Sequence, residues 1–406
     1  MSKIAILGYG VVGSGTVEVF YKNRKNLEAR AGRELDIKYI LDIREFADSP
    51  YLDKFTKDFE VILNDPEVEV VAELIGGATF SYDFVKRSLL AGKSVVTSNK
   101  ELVAQKGGEL LRIACEKKVH FFFEASVGGG IPLIRPLHQC LLNDEVTEIK
   151  GILNGTTNFI LTKMFGDGMS FEKALELAQR EGYAESDPTA DIEGPDTCRK
   201  ICILASLCFG SHVYPTHVYT EGITKVTLAD MEYADNCKCA VKLIGWARKQ
   251  GEHLVVMTFP AFIPSDCQLS SVSDVYNAVL VHGYATGDVL FYGKGAGALP
   301  TASAVLSDIA NALKGADRPI AWAETDETQS PVADYKEIQH RFYLRLKSAR
   351  TTDITGIFNA TFIHRKDAPT GEKAFITDLM TEKEFEEKCK TVEKFSEILG
   401  KLRVFK

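Results

Sequence analysis

A glycine loop, an acid–base pair and two lysines are the residues of this chain whose types and spacing could do chemistry. Gly8-Tyr9-Gly10-Val11-Val12-Gly13 matches G-x-G-x-x-G. In that pattern Gly8 permits a tight turn, Gly10 lets the backbone approach a pyrophosphate, and Gly13 lets a helix pack close to the strand before it. The phosphates then meet the free N–H groups and the positive end of that helix. Here the motif follows a strand and opens a helix, the context that separates a dinucleotide loop from an ordinary glycine-rich turn. Asp42 ends the second strand, farther on than the usual ~20 residues. An acid there bonds ribose hydroxyls and favours NAD. Arg44, two residues on, can receive a 2′-phosphate and favours NADP; the balance leans towards NADP being usable. Farther along, Lys200 lies four residues after Asp196 in a helical pattern, which puts both on one face. Lys100 follows a strand, at the end where parallel sheets place their ligands. Alone, an i, i+4 Asp–Lys pair is usually a solvated surface contact of little energy, and a lysine after a strand is usually solvated too.

The elements that must position these groups alternate at the N-terminal end. Lys3–Leu7, Ile37–Leu41, Val68–Ile75, Ser94–Thr97 and Val119–Phe123 read as strands. Val11 to about Arg30, Asp83–Ala91 and Glu101–Glu116 read as helices. Strands separated by helices predict an α/β fold with a parallel sheet covered on both faces. From about Pro132 the rhythm changes to an α+β pattern, with helices at Phe171–Arg180 and Thr197–Phe209 and strands at His253–Phe259 and Asn277–His282. A strong helix follows at Thr301–Leu313, and residues 315 to 340, with Pro319, Pro331 and many charges, suit a linker. The last segment has its own pattern: strands at Phe342–Leu346, Thr361–His364 and Lys373–Leu379, a helix at Glu382–Leu399 and a closing strand at Leu402–Phe405.

Bulk properties narrow the function classes. With 406 residues, two or three domains are expected, and 45% hydrophobic with 26% charged residues is ordinary for a folded soluble protein. The net charge of −8 leaves no basic excess for nucleic acid as the main partner. No apolar run reaches membrane-span length, and with the first strand opening at Lys3 no secretory leader is expected. The nine Cys are scattered, and the Cys237-x-Cys239 pair has no second pair beside it, so reduced thiols in a cytoplasmic protein are expected.

Three further motifs carry a family resemblance. They are Val96-Thr-Ser-Asn-Lys-Glu101, Gly151-Ile-Leu-Asn-Gly-Thr-Thr-Asn158, and Gly182-Tyr-Ala-Glu-Ser-Asp-Pro188 continuing to Asp191, Gly194, Asp196 and Lys200. With the glycine loop and Gly293-Lys-Gly-Ala-Gly297, they make the chain resemble homoserine dehydrogenase over about residues 1 to 320. The resemblance implies a Rossmann domain over 1–131, completed by about 297–320, and an α+β catalytic and dimerisation domain over 132–296. A linker over 321–340 would follow. The implied reaction is reversible hydride transfer between NAD(P)H and L-aspartate 4-semialdehyde, giving L-homoserine, on the way to threonine, methionine and isoleucine. The implied partners are this small-molecule substrate and a second copy of the chain, as a homodimer or a dimer of dimers.

Hydride transfer to an aldehyde builds negative charge on oxygen, so the site must supply a proton or a positive charge there. The motif region holds no His, which leaves lysine. Lys200 is expected to be the proton donor and Lys100 its electrostatic partner; a second ammonium and partial burial would both favour the neutral amine. The substrate's α-ammonium needs a carboxylate, for which Glu185 is the first candidate, with Asp196 sharing that task or orienting Lys200. Asp187 and Asp191 are nearby acids without an assigned role. The resemblance further places Thr97, Ser98 and Gly297 on the nicotinamide side. It makes the carbonyls of Glu124, Val127, Gly129 and Ile131 ligands of a sodium ion, although the same glycine-rich loop is explained by backbone angles alone.

Residues 341–406 resemble a ferredoxin-like ACT domain. The effector-binding Asp-Arg-Pro-Gly turn is missing from Ser348-Ala-Arg-Thr-Thr-Asp-Ile-Thr-Gly-Ile-Phe358, so a degenerate module that assists assembly is expected. Two alternatives remain at this point: a dehydrogenase for another amino acid, and a nucleotide-sensing regulator without catalysis.

Overall fold

A computed structural model describes residues 1–141, 144–315, 319–328, 330–347 and 350–405. Ser348, Ala349 and residue 329 of the expected linker lie outside the described residues. The chain divides into two compact units: residues 1–146, 202–215 and 293–330 form the first, and 147–201, 216–292 and 331–406 the second.

The first unit is built on six parallel strands, β1 (Ser2–Leu7), β2 (Leu35–Leu41), β3 (Phe55–Thr56), β4 (Val68–Glu73), β5 (Ser94–Thr97) and β6 (Phe121–Phe122), in the order β3-β2-β1-β4-β5-β6. This is the order of a dinucleotide-binding sheet, which reverses direction of growth between β1 and β4. Both faces are covered, so β1, β4 and β5 are near-continuous apolar runs rather than alternating ones. The helices α1 (Val11–Ala31), α2 (Phe59–Asn64), α3 (Thr79–Leu90) and α4 (Lys100–Lys117) connect the strands. A later helix, α10 (Ala298–Lys314), returns to this unit and packs on α1, where Gly15 leaves room for the Ala298 backbone. Residues 202–215 also belong here. His212 accepts from the Gly108 N–H at 3.2 Å and from the Trp322 indole at 2.9 Å, and its other nitrogen meets the Ala104 carbonyl at 3.1 Å. The start of the expected linker is therefore not an exposed spacer. Trp322 is buried over Gly107, where a Cβ would stand 2.6 Å from the indole.

The second unit has one mixed sheet. Its strands are β7 (Val146–Ile152), β8 (Tyr219–Thr220), β9 (Cys239–Gln250), β10 (His253–Pro264), β11 (Tyr276–Gly283), β12 (Gly287–Lys294), β13 (Gln339–Lys347), β14 (Ala360–Ile363), β15 (Lys373–Thr377), β16 (Met380–Thr381) and β17 (Glu397–Val404). The main path runs β12-β11-β7-β9-β10-β17-β13-β15-β14. Helices α5 (Gly155–Asp167), α6 (Phe171–Arg180), α7 (Thr189–Ile192), α9 (Leu228–Asn236), α11 (Thr351–Thr355) and α12 (Glu382–Val392) belong here, as does the start of α8 (Pro195–Phe209).

The C-terminal segment does not stand apart. β17 pairs in parallel with β10, and antiparallel with β13. β13 alternates as its sequence predicts, but between two cores. Tyr343 joins Phe159, Met164, Leu243 and Phe262 in one, while Phe342, Leu344 and Leu346 join Phe358, Phe375 and Phe385 in the other. The expected helix to Leu399 ends at Val392, because residues 397–404 are drawn into the sheet. The end of the expected linker is also anchored: the Leu254 N–H donates to the Pro331 carbonyl at 2.9 Å, and Ile338 is buried with Trp246 and Phe259.

Candidate functional site

In the first unit the glycine loop has the geometry its sequence demands. Gly8 has φ +95°, and a Cβ there would strike the Leu74 carbonyl oxygen at 2.8 Å. A Cβ on Gly13 would lie 1.9 Å from the Gly8 carbonyl oxygen, so α1 could not approach β1 with any other residue. Gly10 differs. A Cβ there would meet only the Arg44 guanidinium, at 4.0 Å, so the space before α1 is open. That space, at a helix N-terminus with no side-chain cap, fits a pyrophosphate.

Asp42 and Arg44 are joined. The Asp42 carboxylate accepts from the Tyr9 N–H (2.8 Å), the Arg44 N–H (3.0 Å) and the Arg44 Nε and Nη2 (3.0 and 2.8 Å). The Arg44 guanidinium holds this carboxyl well below the usual carboxylate range. Only 7% of the Asp42 side chain is exposed against 57% of Arg44, so the acid is fixed while the guanidinium faces solvent, over the Phe46 ring.

Thr97 is buried at the end of β5, Ser98 is half-buried, and Lys100 is the first residue of α4. Asn99 caps that helix by accepting from the Leu102 N–H at 3.0 Å. Gly297, with φ +125°, precedes α10. In the loop after β6, Gly128 and Gly129 have φ +76° and +54°, and a Cβ on Gly129 would meet the Gly295 backbone at 2.7 Å. The Glu124 side chain closes this loop by accepting from the N–H groups of Leu133 (2.6 Å), Ile134 (2.8 Å) and Arg135 (2.8 Å). The glycines thus have a backbone reason of their own. Among the described residues no group of three or more His, Cys, Asp or Glu could hold a metal ion.

In the second unit Lys200 and Asp196 are no surface pair. Their side chains are 10% and 3% exposed, with Nζ 2.8 Å from Asp196 Oδ2. Lys200 also donates to the Leu153 carbonyl at 2.7 Å. Asn154, which sequence reasoning did not single out, is the hub. Its Nδ2 donates to Asp196 Oδ2 at 2.8 Å and Asp191 Oδ1 at 2.6 Å, while its Oδ1 caps α5 through the Thr157 N–H at 2.8 Å. Asp191 so gains a place in the cluster. Asp187 instead accepts from the N–H and hydroxyl of Thr189, the first residue of α7. Glu185 is exposed on the loop after α6, its carbonyl held by Gln179. The signal that could have found Asn154 was its place before Gly-Thr-Thr, where Asn is a strong helix cap.

A buried ammonium on an acid and a carbonyl, and an open dinucleotide loop, suit an NAD(P)-linked oxidoreductase. The comparisons decide which. Residues 132–310 match the homoserine dehydrogenase family, and residues 8–124 match the homoserine dehydrogenase NAD-binding domain. The chain is 38% identical to homoserine dehydrogenase of Pseudomonas aeruginosa over 357 residues, 85% of this chain and 82% of the relative. The Bacillus subtilis enzyme is 40% identical over 316 residues, 77% and 73% of the two chains. The chain belongs to the homoserine dehydrogenase family. Its class is therefore that of an NAD(P)-dependent oxidoreductase acting on a CH–OH group. Among solved structures, a homoserine dehydrogenase from Thiobacillus denitrificans superposes with TM-score 0.92 at 34% identity, covering 100% of this chain and 98% of that one. A hyperthermophilic archaeal homoserine dehydrogenase in complex with NADPH aligns with 77% of this chain and 97% of its own, at TM-score 0.66 and 27% identity.

Proposed function

We propose that this chain interconverts L-aspartate 4-semialdehyde and L-homoserine, with Lys200 as the acid–base group at the reacting oxygen. NAD(P)H, when bound, supplies the hydride that becomes the new C–H bond. The Lys200 ammonium gives its proton to the carbonyl oxygen as charge develops there, and takes it back in the direction of oxidation. Asp196 and the Leu153 carbonyl orient the ammonium. Lys100 adds a second positive charge for the developing alkoxide. Glu185 receives the substrate's α-ammonium, a role its exposed carboxylate suits. The observation that carries this reading is the burial of Lys200 against Asp196 and the Leu153 carbonyl, which a solvated ion pair would not need.

Gly8, Gly10, Val11, Val12, Gly13, Asp42, Arg44, Thr97, Ser98, Lys100 and Gly297 would hold the cofactor. NADP is the better fit, because Asp42 is already occupied while Arg44 is exposed and can turn to a 2′-phosphate. A sodium ion would rest on the carbonyls of Glu124, Val127, Gly129 and Ile131, an all-oxygen set that suits a hard cation. The protein acts in the cytoplasm, in the biosynthesis of threonine, methionine and isoleucine, as a homodimer or a dimer of dimers.

The C-terminal residues are a degenerate ACT-like module that assists assembly. In support, β13-α11-β14-β15-α12-β17 runs β-α-β-β-α-β as in ferredoxin-like units, while α11 has only five residues. Homoserine oxidation assayed with NADP and with NAD, with and without millimolar threonine, tests the whole reading. Turnover favouring NADP and indifferent to threonine is expected. No turnover with either cofactor overturns the activity, and clear inhibition by threonine overturns the degenerate module.

A further inference from the structure

Glu73 ends β4, fully buried, and has no part in the chemistry above. Its carboxylate serves four donors. One oxygen accepts from the Ile75 N–H (2.9 Å), the Gly76 N–H (3.3 Å) and the Ser81 hydroxyl (2.9 Å); the other accepts from the Thr97 hydroxyl (2.6 Å). Thr97 in turn accepts from the Asn99 N–H at 2.9 Å, and the Asn99 amide returns to the Gly77 carbonyl at 2.5 Å. A closed ring of hydrogen bonds therefore ties the loop after β4 to the turn after β5. A buried network with its members satisfied is rigid.

Both tied segments lie where the cofactor is expected. The loop after β4 touches the glycine loop directly, since Gly8 abuts Leu74 and the Ile75 Cα, and the Leu74 N–H donates to the Leu7 carbonyl at 2.8 Å. That junction, between β1 and β4, is the point where the sheet order reverses and such sheets take their ligands. The turn after β5 carries Thr97 and Ser98, and through the Asn99 cap it sets the first turn of α4, where Lys100 sits.

We infer that Glu73 is a positioning residue: it holds the Ile75–Gly77 wall and the Thr97–Lys100 turn in one register, and so aligns the reactive half of the cofactor with the Lys100 ammonium. This rests on the roles proposed for Thr97, Ser98 and Lys100.

Three variants test it: Glu73→Ala, which removes every acceptor; Thr97→Val, which cuts the ring at constant volume; and Glu73→Gln, which keeps an acceptor for the loop and a donor towards Thr97. NADPH affinity is read by fluorescence titration on protein whose folding is checked by thermal melting, and kcat at saturating substrates. Glu73→Ala is expected to lower cofactor affinity and kcat together by about ten- to a hundredfold, a misplacement-sized effect, with Thr97→Val in the same direction and Glu73→Gln restoring most of both. If Glu73→Ala does not fold, Glu73→Asp, which draws the carboxylate back from Thr97 and leaves every residue proposed to touch the cofactor in place, gives the answer. A folded Glu73→Ala or Thr97→Val with unchanged NADPH affinity and kcat, losing only melting temperature, overturns the inference. Lys100→Met distinguishes the underlying reading. Normal turnover there removes Lys100 from the reaction, whereas an inactive Lys100→Met beside a normal Glu73→Ala refutes the positioning role alone.

Discussion

Lys200→Met separates chemistry from structure at the buried pair. The substitution keeps an apolar stem and removes the ammonium that donates to Asp196 and to the Leu153 carbonyl. Asp196 then stays buried without the Lys200 ammonium beside it. Removing one member of a buried ion pair costs about 3–5 kcal/mol. At roughly 2–4 °C per kcal/mol, the melting temperature should fall by about 6–20 °C. Loss of an acid–base group lowers kcat by about a hundred- to ten-thousandfold. The two effects come apart in Lys200→Met/Asp196→Asn, where no charge is left to strand and Asn154 can still donate to residue 196. Melting temperature should return towards that of the parent protein while turnover stays lost. Calorimetry and the loss of NADPH absorbance with aspartate semialdehyde measure both, and NADPH affinity should survive, because the glycine loop belongs to the other unit. Turnover within about tenfold of the parent in either variant would refute proton transfer by Lys200.

Other outcomes follow from the same geometry. Gly10→Ala should fold normally yet bind NADPH more weakly, because its Cβ enters open space, whereas Gly13→Ala should fail to fold, with its Cβ 1.9 Å from the Gly8 carbonyl oxygen; soluble yield and NADPH titration read the contrast. Arg44→Ala should raise the KM for NADP about tenfold or more and leave that for NAD little changed, as loss of a charge-assisted phosphate contact requires; an unchanged ratio would take Arg44 out of cofactor choice. Burial lowers the pKa of His212 to about 4 and of His340 to about 3, so the unfolded chain takes up their protons first. The contribution of these two histidines to stability should therefore be full above about pH 6.5 and fall as the pH drops towards 4, by about 1.4 kcal/mol per histidine for each pH unit. Urea midpoints at several pH values test this, and His212→Gln with His340→Phe should flatten the slope.

Much of the first unit could be read from the sequence because each of its strands is a short apolar run and its phosphate loop is defined by three glycines whose spacing is local. The Lys200–Asp196 pair was also legible, since four residues on a helix is a local distance. Asn154 was not, because it meets Asp191 and Asp196 only after folding. Glu73 was not singled out, because its burial depends on Thr97 and Ser81 arriving from other elements. β9 escaped notice because Lys242 interrupts its apolar pattern. That ammonium is buried, with Nζ 2.5 Å from the Val272 carbonyl and 3.2 Å from Asn158 Oδ1, and burial lowers its pKa to about 8. The overlong final helix and the expected linker failed for the same reason. Glu397–Leu399 was carried into the helix although it opens the strand that β10 and β13 claim, and the linker's charges conceal Trp322 and Ile338, which are buried.

The placement of β17 bears on how the polypeptide is made. The strand at the heart of the second sheet emerges from the ribosome long after β10, the neighbour it must zip against. Until then Ala261 and Phe262, beyond the short pairing of β8 with β10, stay an open template on the nascent chain, and such late, distant pairing is slow and prone to mispairing between molecules. Stop codons or frameshifts anywhere before residue 397 should therefore yield aggregates rather than a deregulated catalyst, and expression should benefit more from slower synthesis than from trimming the C-terminal segment.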